Sequence, residues 1–133
     1  MHTYYGIWID HSKAFLIKSN KLAEMEIRGF GSDVESHHRG GSDNEHVTIA
    51  NQHRYEERRS NEMKAFSREV ITHLSDADEI VIFGPGTAKH AFQNELETHK
   101  ALSSKIKGLE TTDQLSEAEM KDFVKKFFKL PAA

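Results

Sequence analysis

Glu79 to Phe83, EIVIF, is a short and nearly unbroken apolar run that stops abruptly at Gly84-Pro85-Gly86. A strand of this composition offers no face to water, so it belongs in a sheet covered on both sides, and the residues after it are turn formers. The chain has 133 residues, enough for one core and not for two. The expected fold is therefore α/β, a single domain over residues 1–133 with helices on both faces of its sheet.

The remaining elements follow from periodicity. Tyr4 to Asp10 and Ala14 to Lys18 are β-branched and aromatic runs joined by His11-Ser12-Lys13, a connection of hairpin length. Leu22 to Phe30 alternates, with Ala23, Met25 and Ile27 on one face and Glu24, Glu26 and Arg28 on the other. These three runs predict a meander with a half-solvated edge strand. Residues 31–51 carry glycines, acids and three histidines around a Val47-Thr48-Ile49 island and read as a long flexible loop.

From about Gln52 to Leu74 the spacing predicts a helix, with Tyr55, Met63, Phe66, Val70 and Leu74 on one stripe and Arg54, Arg58, Asn61 and Arg68 opposite. A second helix is expected over Thr87 to His99, and a weaker strand over Lys105 to Thr111, broken by Gly108. The last helix starts at Ser116, with Glu119 completing a capping box, and buries Met120, Phe123, Val124, Phe127 and Phe128 until Pro131 ends it. The order β-β-β-α-β-α-β-α is that of an RNase H-like domain, with a mixed sheet and the first strand central.

Composition narrows the chemistry. With no cysteine, disulfides, thiolate metal sites and cysteine nucleophiles are excluded. Eighteen Lys and Arg against 21 Asp and Glu leave a net charge of -3, so contact with nucleic acid needs a local basic patch rather than a global field. No apolar run reaches membrane-spanning length and no signal peptide opens the chain, so a cytoplasmic protein without membrane contact is expected.

Four groupings bear on function. Asp10, at the end of the first strand, is where an RNase H-like nuclease would hold a metal, with Glu57 and Asp113 as possible companions; the fourth strand brings no carboxylate. The simpler reading makes Asp10 a turn residue bonded to backbone near Ser12. Gly84, Gly86 and Lys89 open the second helix, where an anion would meet free N–H groups and a cation, although the Walker spacing is missing. His37, His38, His46 and His53 have no spacing that would fix a metal, and neither metal nor cofactor is expected. Finally, Arg39, Gly40 and Gly41 in the loop and Arg54, Arg58 and Arg68 on the helix suit phosphate contacts, while Glu56, Glu57 and Glu62 on the same helix can pair with them. A third role is pairing of the strand carrying Met25 and Ile27 with a second copy, giving a homodimer.

The stretches GIWIDHSKAFLIK at Gly6 to Lys18, HHRGG at His37 to Gly41, HRYEERRSNEMKAF at His53 to Phe66 and IVIFGPGTAKHAF at Ile80 to Phe92 together resemble the central domain of archaeal and eukaryotic peptide-chain release factors and Pelota, and its compact bacterial relatives. The resemblance implies an RNase H-like domain that enters the ribosome near the tRNA acceptor arm. In release factors a Gly-Gly-Gln loop before the long basic helix promotes peptidyl-tRNA hydrolysis. Gly40 and Gly41 match its glycines, and Ser42 stands where the glutamine would be. The resemblance therefore implies ribosome or tRNA binding without the hydrolytic motif, as in the Pelota branch.

Overall fold

A computed structural model describes residues 2–31 and 63–131. Strands β1 (Thr3–Ile9), β2 (Lys13–Asn20) and β3 (Met25–Gly31) form the meander, and a helical segment over 63–71, α1, precedes β4 (Glu79–Gly84). Then come α2 (Ala88–Glu97), the one-turn α3 (Lys100–Ser103), β5 (Ile106–Thr111) and α4 (Glu117–Phe127). The sheet has the order β3-β2-β1-β4-β5, antiparallel from β3 to β1 and parallel from β1 to β5. It is mixed, β1 is central, and the architecture is that of an RNase H-like domain. Residues 32–62, expected to hold the long loop and the first part of the helix after it, lie outside the described residues.

Alternation along the central strands sorts the core into two layers. Ile7, Ile9, Ile80 and Ile82 pack with Met63, Phe66, Val70, Phe92 and Leu96, so α1, α2 and α3 cover one face. Trp8, Ile17, Val81 and Phe83 pack with Met120 and Val124 of α4 on the other. Both β1 and β4 are buried on both sides, which is why their sequences do not alternate. Gly6 lets α4 approach closely: a Cβ there would lie 2.3 Å from Val124 Cγ2.

Two boundaries differ from the sequence reading for a clear local reason. The third strand starts at Met25 rather than Leu22, because Asn20 closes a turn first: its Oδ1 accepts from the N–H groups of Leu22 and Glu24, and Ala23 has φ 61°. Met25 and Ile27, the residues suggested for self-pairing, are half-buried against the Trp8 layer, and β3 is the sheet's edge among the described residues. The last helix ends at Phe127, before Pro131: beyond its cap Lys129 takes φ 56°, and the Leu130 N–H returns to the Lys125 carbonyl. The capping box at Ser116 is present in both directions. Among the described residues no helix is long and apolar enough to cross a membrane.

Candidate functional site

The parallel strands β1, β4 and β5 end together, and the loops after them bring Asp10, His11, Gly84, Gly86, Thr87, Asp113 and Gln114 to one edge of the sheet. In open α/β sheets this carboxyl end is where ligands are commonly held. The local bonding shows what each group does.

Asp10 holds the β1–β2 turn. Its Oδ1 accepts from the N–H groups of Ser12 and Lys13 at 2.8 Å each and from the Ser12 hydroxyl at 3.1 Å, while Gln114 Nε2 donates to Oδ2 at 3.3 Å. Partial burial pushes the carboxyl up, but these donors outweigh it and hold it below the usual aspartate range. Asp10 is thus the turn residue, and Glu57 lies outside the described residues. Asp113 adds its backbone carbonyl, which accepts from Trp8 Nε1 at 3.4 Å. Among the described residues no three His, Asp or Glu side chains converge as a metal-binding group.

Because the folded-state carboxyl is the stronger acid, it contributes stability above about pH 4, and that contribution disappears as pH falls through its folded-state value. Asp10→Ala should cost about 1–2 kcal/mol at neutral pH by leaving the turn N–H groups without their acceptor. Asp10→Asn keeps Oδ1 and should cost less, while weakening the fall in stability between pH 5 and pH 2. Urea unfolding across that range measures both.

The turn after β4 is built around two unusual glycines. Gly84 has φ 147° and is buried against β1, where a Cβ would lie 2.4 Å from the Ile9 carbonyl oxygen. Gly86 has φ 64° and open space around it. Lys89, which the sequence offers as a cation for an anion at this helix start, is only 2 % exposed, and its ammonium donates to the Gly86 carbonyl. Its charge is turned inward as a clasp on the turn. Exposed at the same place are Thr87 and His11, with Thr87 Oγ1 and His11 Nε2 3.2 Å apart.

Of the basic helix face, Arg68 lies within the described residues. Its side chain is 63 % exposed, and Nε donates to Glu95 of α2 at 2.8 Å. Arg39, Gly40, Gly41, Ser42, Arg54 and Arg58 lie outside the described residues, as do His37, His38, His46 and His53. The Arg68–Glu95 pair could not be foreseen, since its partners come from different helices 27 residues apart.

A polar cluster at the opposite end of the sheet was missed as well. The Tyr5 hydroxyl donates to Asp76 Oδ1 at 2.6 Å, and Lys18 Nζ lies 3.0 Å from Asp76 Oδ2. Burial, then the Asp76 carboxylate, push the Tyr5 hydroxyl up; the Tyr5 hydrogen bond, against some burial and with help from Lys18, holds Asp76 low. This cluster ties the segment before β4 to β1 and β2.

No protein-family model matches the chain, and no curated protein matches it in sequence. Solved structures do share its fold. The Pelota protein of Thermoplasma acidophilum superposes with a TM-score of 0.55 at 13% identity, over 92% of this chain and 32% of that one. A structure described as an archaeal protein gives 0.57 at 16% identity, over 96% and 34%. An archaeal translation termination factor gives 0.53 at 14% identity, over 96% and 39%. The chain spans 32–39% of the length of these proteins, and what it shares with them is the fold.

Proposed function

We propose that this domain is a translation-associated factor that binds the ribosome or tRNA and lacks the Gly-Gly-Gln hydrolytic motif. The observation that carries this reading is the fold likeness, which runs through 92% and 96% of the chain to a Pelota protein and a translation termination factor. Arg39, Gly40 and Gly41, with Arg54 and Arg58, would contact phosphate, and Ser42 in place of glutamine argues for binding rather than ester hydrolysis. Arg68 contributes less to phosphate binding than the other arginines, since Glu95 already compensates its charge. The two glycines and Lys89 serve the turn, so the loop and basic helix carry the RNA contact.

Pelleting with ribosomes through a sucrose cushion, at low and moderate salt, tests the reading. The protein should pellet at both, and the double variant Arg54→Glu, Arg58→Glu should bind about tenfold or more weakly, with a shallower dependence on salt. Absence of pelleting at either salt would leave shared fold alone. Binding unchanged in the double variant would move the contact away from the helix.

A further inference from the structure

A groove of about 590 Å³ runs between β5 and α4. Its floor is apolar: Leu115, Phe123 and Phe127. Phe123 stacks on the buried Phe83 ring with centroids 4.2 Å apart, and Phe127 lies parallel to Phe123 at 6.2 Å. Phe127 also covers Gly108, where an added Cβ would lie 2.5 Å from its Cζ, so the floor is fixed by the backbone of β5. Glu110 on β5 and Glu119 and Asp122 on α4 form the rim, all of them exposed. The rim's cation, Lys126, lies 3.0 Å from Asp122 in an exposed pair, so three carboxylates against one ammonium leave the rim acidic.

The charge on this rim selects the occupant. A second copy related by a two-fold axis along β5 would bring both sets of carboxylates together, at a cost in like-charge repulsion. A nucleic acid would meet acids where it needs cations. An extended peptide with an apolar side chain between two cationic ones satisfies both floor and rim. β5 is the last strand of the sheet on this side among the described residues, so such a peptide can also lie along its outer edge. We infer that the groove between β5 and α4 docks an extended basic segment of a partner protein, seating an apolar side chain on Leu115, Phe123 and Phe127 and cationic side chains against Glu110, Glu119 and Asp122. This inference is independent of the ribosome-binding reading.

In an extended peptide, alternate side chains share a face, so the probe is the blocked pentapeptide Lys-Thr-Phe-Thr-Lys, titrated into the ¹⁵N-labelled full chain. Amide shifts should be confined to β5, residues 112–115 and α4. Affinity should fall about tenfold with Glu-Thr-Phe-Thr-Glu, and about tenfold with Lys-Thr-Ser-Thr-Lys. The variant Glu110→Lys, Asp122→Lys changes two exposed residues outside the capping box; its spectrum reports folding directly, and it should lose affinity to the same degree. The proposal is overturned by any of several results: no saturable shift at millimolar peptide, equal binding of either control peptide, or unchanged binding to the variant. Shifts of the same amides on concentrating the protein alone would assign the groove to a second copy, and shifts with a short RNA would assign it to nucleic acid. Either would overturn it too.

Discussion

Gly84→Ala should lower the stability of this domain by about 3 kcal/mol or more, a large share of the roughly 5–15 kcal/mol typical of such a domain. Two costs combine. At φ 147° an L side chain is strained, and its Cβ would lie 2.4 Å from the Ile9 carbonyl oxygen and 3.1 Å from the Ile9 nitrogen. Both obstacles are backbone of the central strand, so neither can turn aside as a side-chain tip would. Gly86→Ala is the control: φ is 64° but nothing lies within 4 Å of the new Cβ, so only the left-handed backbone is penalised, by about 1–2 kcal/mol. Urea unfolding of the two variants, with unchanged slope, should show midpoints separated in that order. Equal midpoints would mean that the close approach to Ile9 carries no energy.

Trp8→Ala should cost about 3–5 kcal/mol. Trp8 is fully buried in the layer beneath α4, next to Ile17, Val81 and Phe83, with Phe15 tilted against it at 6.1 Å. Its removal opens a cavity near the carboxyl end of the central strand, where the sheet on one side and α4 on the other limit collapse. Trp8→Phe keeps most of the ring and loses the long indole hydrogen bond to the Asp113 carbonyl, so about 1–2 kcal/mol is expected. Calorimetric or urea unfolding of both variants checks the difference. A Trp8→Ala protein as stable as the Phe variant would show that the cavity closes.

Much of the sheet could be read from the chain because its signals are local. The EIVIF run announced a doubly covered strand, and Ser116 with Glu119 marked the start of α4 to the residue. What escaped the sequence depends on partners far apart along it. Gly84 looked like a turn glycine, and only its pairing beside β1 reveals the pressure of Ile9. Lys89 reads from the sequence as a cation available to an anion at the start of the helix; its stem is enclosed, and the Gly86 carbonyl takes its ammonium. For Asp10 the turn chemistry was legible within three residues, whereas Gln114, 104 positions away, was not. The groove beside α4 escaped for the same reason. Its floor was visible as a helix stripe, but its rim needs β5 alongside.

The close contact between Gly6 and Val124 also decides among alternative pairings of the central strand. A slip of β1 by one residue against its neighbours would exchange the two core layers, turning Trp8 toward α1 and α2 and Ile7 and Ile9 toward α4. A slip by two preserves the faces, and hydrophobicity hardly opposes it. Such a slip would put Tyr4 or Trp8 in the place of Gly6, beneath a helix that leaves no room even for a methyl group. One missing side chain in the middle of β1 therefore acts as a notch that admits a single alignment of the sheet.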